Sequence, residues 1–280
     1  MFERAFTRAR PLFTLAMYYP LYWYIGPDKS FDPLEQGRQE QIVGLIRTNF
    51  LKRFESSVAA FELSCERLLA KLLAFLEVHC ESPTEKRKLE KWRTQNAEIL
   101  GYARERQLEL WGDADEEDDE EDIVTPEMLD AVEKLNREEY NVIEMISETF
   151  GDLDQIVQFL EESKKFQPNH DDKLQKLIRL LQGKELAGQK VLVFTEFADT
   201  ARYLEKQLVK AGIDGVSEVD SARKGNRADV IQRFSPYYNG HSSASLAAAG
   251  RKEIRILLST DVLSEGLNLH YFCHRLVHFD

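Results

Sequence analysis

At 280 residues, 43% hydrophobic and 31% charged, the chain can bury one large core or two ordinary ones, and its composition excludes wholesale disorder. Three widely spaced cysteines (Cys65, Cys80 and Cys273) exclude a disulfide scaffold and offer no zinc-type spacing, so a reducing, cytoplasmic setting is expected. The net charge of −12 is uneven: residues 1–185 hold 25 Lys/Arg against 38 Asp/Glu, whereas residues 186–280 hold 12 against 11, which leaves room for a phosphate-binding groove in the C-terminal third.

Residues 1–37 are rich in aromatics, Pro and Gly, and no regular element is expected there. The apolar stretch Leu12–Ile25 contains Pro20 and is too short to span a bilayer. Its Tyr18, Tyr19, Tyr22, Trp23 and Tyr24 suit neither an export h-region nor a cleavage site, so neither an export signal nor a membrane span is expected. That cluster either stacks bases or packs against helices. From Gln39 the period is helical: Val43, Ile46, Phe50, Phe54, Val58, Phe61, Cys65, Leu68, Leu72 and Leu76 share one stripe of a long amphipathic helix, interrupted near Ser56–Ser57. Arg47, Lys52 and Arg53 lie off the stripe, where they either touch DNA or pair with acids of a helical bundle.

Pro83 ends this helix, and a second runs from Thr84 to about Leu110. Asp113–Asp122 holds nine acids and reads as a solvated loop. Its Asp-Glu-Glu-Asp repeats are no metal-binding box, because such a carboxylate must end a hydrophobic strand. Thr125-Pro126-Glu127 restarts a helix whose spacing continues through Met128, Val132, Leu135, Ile143 and Ile146. A break is expected at Gly151–Asp152, then a helix with Ile156, Phe159 and Leu160, a second break at Pro168–Asp171, and a short helix from Asp172 to Leu181.

After Gly188 the pattern changes. Val191–Thr195 is a short apolar run suited to a strand covered on both faces. A helix with Ala201, Leu204 and Leu208 follows, then a strand at Gly215–Val219 and a helix with Val230, Ile231 and Phe234. Pro236–Gly250 reads as a flexible loop, and strands are expected at Ile254–Ser259 and Arg275–Phe279. Strands alternating with helices predict an α/β lobe with a parallel sheet over residues 186–280, preceded by a mainly α-helical region over residues 1–185. A strand at Arg275–Phe279 also removes the helical spacing that would make His270, His274 and His278 a metal face.

At the end of the third strand stands Ser259-Thr260-Asp261-Val262-Leu263-Ser264-Glu265-Gly266-Leu267-Asn268-Leu269. It resembles motif V of superfamily-2 helicases, and its Ser-Glu-Gly-Leu-Asn-Leu ending looks more like the bacterial Swi/Snf-type translocases than the DEAD-box branch. Val191–Thr195 with Glu196-Phe197 resembles motif IV. Arg227, Ile231 and Phe234 sit where the family places an Arg-helix-Phe signature, and His278-Phe279-Asp280 resembles the strand leading into motif VI. Leu51–Ser57 is similar to an inter-lobe helix of large bacterial members. The resemblance covers residues 170–280 and implies an incomplete RecA-like second motor lobe of an ATP-dependent helicase or translocase tracking double-stranded DNA. It implies Thr260, Thr195 and Arg227 on the nucleic acid, and Gly266 and Asn268 at the nucleotide.

The residue types suit those roles. A hydroxyl at a strand end can bond a phosphate without reading sequence. A glycine lets backbone approach a nucleotide, and Asn268 can reach a ribose or a neighbouring motif. The plainer reading is that Thr260 and Asn268 cap a helix and Gly266 makes a turn. Glu265, where DEAD-box relatives carry Arg, weighs against an RNA helicase. The sequence holds no Gly-x-x-x-x-Gly-Lys-Ser/Thr phosphate loop and no arginine-finger segment Gln-Arg-x-Gly-Arg-x-x-Arg. The expectation is therefore that ATP and Mg²⁺ serve the complete motor, that this chain alone binds neither, contains no catalytic residue and is inactive. The alternative is a non-enzymatic interaction module, whose helical region and acidic loop bind a protein partner such as RNA polymerase or a defence complex.

Overall fold

The long apolar stripe folds as two helices, α1 (Pro33–Ser56) and α2 (Val58–His79), because Ser57 leaves the helical path. Its amide still donates to Arg53 O at 3.0 Å, while its hydroxyl accepts from Ala60 N at 3.1 Å and so caps α2. The computed structural model describes residues 6–7, 10–27, 33–111, 129–219, 227–260 and 275–280. They divide into two compact units, one of Met1–Lys52 with Glu62–Lys165 and one of Arg53–Phe61 with Phe166–Asp280.

In the first unit α2 is apolar nearly all round, and Leu69, Leu72, Leu73 and Leu76 are fully buried. The expected helix from Thr84 is two: α3 (Pro83–Gln95), opened by a Ser82–Glu85 capping box, and α4 (Ala97–Trp111). The acidic block and the Thr125-Pro126 helix start lie outside the described residues. Residues 131–141 are turn and extended chain, not the expected helix, and Leu135 N donates to His79 Nε2 at 3.1 Å.

Helix α5 (Val142–Lys164) runs unbroken through Gly151–Asp152, against the break expected there. Asp152, 1% exposed, is anchored by accepting the amides of Thr14 at 2.6 Å and Leu15 at 2.7 Å. That anchorage outweighs the ~1 kcal/mol preference of glycine against helix. The same bonds hold Phe13 and Leu15, both buried at left-handed φ of 55° and 56°. Residues 1–37 contain more order than expected: a two-residue antiparallel pair (Phe6–Thr7 with Arg10–Pro11), single 3₁₀ turns at Ala16–Tyr18 and Pro20–Trp23, and the start of α1.

The second unit is an all-parallel sheet of β1 (Val191–Phe194), β2 (Val216–Val219), β3 (Ile256–Ser259) and β4 (Arg275–His278), in the order β2-β3-β1-β4. Val191, Val193, Ile256 and Leu258 face one layer, where they pack with α6 (Asp172–Gln182) and α7 (Ala198–Lys210). Leu192 and Leu257 face the other, packing with Ile231 and Phe234 of α8 (Arg227–Phe234). Period-2 alternation with both faces covered explains the continuous apolar runs.

Helix α6 belongs with this sheet: Leu174, Leu177 and Leu181 join its core, and Asp171 caps α6 while accepting Tyr203 Oη of α7 at 3.0 Å. The division between units therefore falls at Lys165–Phe166, not at 185–186, because α6 lacks an apolar core of its own. Pro236–Gly250, expected as a flexible loop, contains a 3₁₀ turn at Tyr237–Asn239 and α9 (Ser243–Ala248), anchored by buried Leu246.

Candidate nucleic-acid interface at the carboxyl edge of the sheet

Ligands of open parallel sheets bind beyond the carboxyl ends of the strands. Here Phe194 of β1 is in register with Ser259 of β3 on one side and His278 of β4 on the other. The chain leaving those strands therefore carries Thr195, Thr260 and Asp280 to one edge. Thr195 N continues the ladder to Ser259 O at 3.0 Å, and Phe279 N continues it to Phe194 O at 2.9 Å. Thr260 is buried, and Thr195 is 3% exposed.

The Asp280 carboxylate gathers the edge together. Its Oδ2 accepts Thr195 Oγ1 at 2.8 Å and the amide of Glu196, and its Oδ1 accepts Ser56 Oγ at 2.5 Å. Ser56 Oγ and Ser57 Oγ each lie 2.8 Å from Thr200 Oγ1 in the first turn of α7. Arg53 Nη1 binds the buried Asp199 carboxylate at 2.7 Å, with its guanidinium 4.7 Å from the Phe197 ring centre. Lys173 Nζ of α6 donates to Glu55 O at 2.9 Å and lies 4.6 Å from the Phe279 ring centre. Segment 53–61 is thus tied by polar contacts to residues leaving β1 and β4 and to the start of α7.

Of the residues expected on nucleic acid, Thr195 and Thr260 stand side by side at this edge. Arg227 opens α8, and of Arg227 itself the structure describes the backbone alone. Gly266 and Asn268, expected at the nucleotide, lie outside the described residues, as do Asp261–Glu265, His270, Cys273 and His274. Arg53 pairs with Asp199 of its own unit, and Arg47 donates to the carbonyls of Leu12 at 2.8 Å and Phe13 at 2.6 Å. Neither partner was among those expected from the charge pattern. In the 18–24 cluster Trp23 is buried, and Tyr24 meets Tyr140 edge-on at 5.2 Å.

Sequence reasoning did not single out Ser56, Asp199, Thr200 or Asp280 as site residues. The available signal was a polar Ser-Ser pair interrupting an apolar helical stripe, which places hydroxyls where packing would favour aliphatic side chains. A concavity of about 690 Å³, lined by Gly188, Gly215, Lys252 and Arg255, lies at the opposite, amino-terminal edge. It contains none of the expected site residues, and the position of the strand ends is the stronger guide.

Among the described residues no group of three or more His, Cys, Asp or Glu could hold a metal ion. No helix of the described residues is long and apolar enough to cross a membrane.

Residues 172–280 match the family model described as helicase conserved C-terminal domain. The match takes in α6, the four strands and the carboxyl edge, so the α/β part of the chain is similar to a helicase C-terminal domain. No curated protein and no solved structure matches the chain.

Proposed function

We propose that this chain supplies the second motor lobe of an ATP-dependent translocase of the Swi/Snf-like branch, with double-stranded DNA as its track. The observation that carries the reading is the pairing of Thr195 and Thr260, each one residue beyond the in-register pair Phe194–Ser259, at the edge where parallel sheets bind ligands. Two adjacent hydroxyls at strand ends suit successive phosphate oxygens, contacts that fix register without reading bases. Arg227 adds a phosphate contact, and Gly266 and Asn268 serve the nucleotide. When ATP is bound it supplies the energy of lobe closure in the complete motor.

The 280-residue sequence holds no phosphate-loop pattern, and by itself it turns over no ATP. The test is fluorescence anisotropy with a labelled DNA duplex and an RNA duplex at two salt concentrations. Thr260→Ala and Arg227→Ala weaken DNA binding uniformly across sequences, and Arg227→Ala lowers the salt slope by about one, as for a phosphate contact. Binding indifferent to both substitutions refutes the assignment. So does a preference for the RNA duplex.

A further inference from the structure

In the first unit Arg93 pairs with Glu77, Arg106 with Glu62, Arg137 with Glu85 and Lys164 with Glu98. The outer side of α3 departs from that pattern. Arg87 and Lys91 are exposed, and neither forms an ion pair among the described residues. Lys88 lies against an aromatic ring instead, its Nζ 4.2 Å from the Phe150 ring centre.

Helical spacing gathers these cations. Thr84, Arg87, Lys88, Lys91, Thr94 and Gln95 stand three, four or seven residues apart and are all exposed, so they share the side turned away from buried Leu89 and Trp92. That face holds cations and neutral polar groups, with no acid and no apolar side chain; Lys86 and Glu90 stand on its flank. The helix beneath is firmly seated. Ser82 and Glu85 cap its start, Trp92 Nε1 donates to Asp154 Oδ1 at 2.8 Å, and Glu77 holds Arg93. Arg87 and Lys91 are therefore presented about 6 Å apart along a fixed axis.

The chemistry of the face selects its partner. Protein contacts centre on aromatic and aliphatic anchors, and this face has none. Cations and hydrogen-bonding groups without apolar anchors suit a sugar–phosphate backbone. Residues 1–185 are acidic as a whole, with 25 Lys/Arg against 38 Asp/Glu, so bulk charge supplies no attraction and a polyanion must be held by this stripe itself.

We propose that the outward face of α3 is a second nucleic-acid contact, where Arg87, Lys88 and Lys91 bind phosphates of a duplex without reading its bases. It belongs to the first unit and lies outside residues 172–280, which match the helicase family model. It rests on the nucleic-acid reading above for the identity of the polyanion, while the stripe is a feature of α3 alone. Arg87 can grip a phosphate through two N–H groups, and the lysines act as point charges.

The test is fluorescence anisotropy of the 280-residue chain with a labelled DNA duplex over a range of salt. Arg87→Gln combined with Lys91→Gln lowers the salt slope by about two and weakens binding on the order of 50-fold near about 0.1 M salt, the loss expected for two phosphate contacts. Lys165→Gln combined with Lys210→Gln removes the same charge from exposed positions off the stripe and leaves the slope nearly unaltered. An equal fall in both double variants assigns the effect to net charge and overturns the proposal. So does a slope that ignores Arg87 and Lys91.

Polyglutamate, added as a competitor of matched charge, displaces the duplex poorly; displacement as effective as that by unlabelled duplex means that the stripe takes acidic peptides and overturns the phosphate assignment. Duplex binding that falls with Thr260→Ala but not with the α3 pair leaves the reading of the sheet edge standing and overturns the stripe. The reverse result supports the stripe and refutes the assignment at the sheet edge. In ¹H–¹⁵N spectra the amides of Leu89 and Trp92 report whether α3 stays seated in each variant.

Discussion

Replacing Arg53 by Ala tests whether segment 53–61 is a working part of the lobe. Asp199 is 7% exposed and Arg53 is 24% exposed, with 2.7 Å between them. Breaking a buried pair by deleting one partner costs about 3–5 kcal/mol, because the remaining charge stays buried. Two features reduce that figure here. Arg53 retains some solvent, and Arg202 stands 3.5 Å from the other oxygen of Asp199 and keeps part of its charge matched. Loss of the stacking on Phe197 adds back about 0.5–1 kcal/mol. The expected cost of Arg53→Ala is therefore about 2–3 kcal/mol.

Asp199→Ala should cost less, since Arg53 can turn to water. The double variant should cost less than the sum of the singles, with a coupling of about 1–2 kcal/mol. Tryptophan fluorescence is unsuitable, because Trp23, Trp92 and Trp111 all lie in the first unit. Hydrogen exchange at the amides of Val193 and Leu258 reads the sheet directly. Strictly additive costs, or sheet amides whose protection ignores Arg53→Ala, would refute the reasoning and remove segment 53–61 from the lobe.

Other expectations concern acid response and packing. His79 is buried, with Nδ1 against Phe75 O at 2.9 Å and Nε2 accepting from Leu135 N, and burial lowers its pKa despite the Phe75 bond. A histidine with a depressed folded pKa loses stability as pH falls below its unfolded value of about 6.5. Urea unfolding followed by tryptophan fluorescence should therefore show an acid-side loss in the first unit that His79→Gln flattens; an unchanged slope counts against the neutral assignment.

Burial raises Asp152 to about 6 despite the amides of Leu15 and Thr14. Its folded pKa thus exceeds the unfolded one, so its charge penalty, on the order of 3 kcal/mol at most, is present above pH 6 and relieved as pH falls toward 4. Asp152→Asn should remove that relief from the same titration, and a persistent gain would deny its source. Leu258→Ala, at a fully buried position in β3, should destabilise the sheet by about 2–5 kcal/mol by hydrogen exchange, and a loss below 1 kcal/mol would contradict its central packing.

The α/β lobe was legible because its strands are covered on both faces, which writes them as apolar runs such as Val191–Phe194. The helices were legible where one stripe faces a core, as in Leu174, Leu177 and Leu181 of α6. Which core α6 joins was not legible, because periodicity reports that a face is buried and not what it is buried against. The reading also failed where distant residues overrode local preference. Gly151–Asp152 reads as a break until the amides of Thr14 and Leu15 are seen on Asp152, more than 130 residues away in sequence. Pro236–Gly250 reads as a loop because its turn residues outnumber one decisive anchor, Leu246.

The candidate site was half legible for the same reason. Thr195 and Thr260 each end an apolar run, and a strand end is a local feature. The role of Ser56 is not local at all, since Asp280 lies 224 residues away in sequence. Polar residues inside an apolar stripe have two readings, a flaw in packing or a hydrogen-bonding need met elsewhere in the fold. At Ser56–Ser57 the second holds, because Thr200 and Asp280 complete the bonds. The carboxyl edge is consequently a composite of the α1–α2 junction, the residues leaving β1 and the residues leaving β4. Residues 166–280 alone would therefore lack the Ser56 and Ser57 hydroxyls that bond Thr200 and Asp280, and with them part of what holds Thr195 in place.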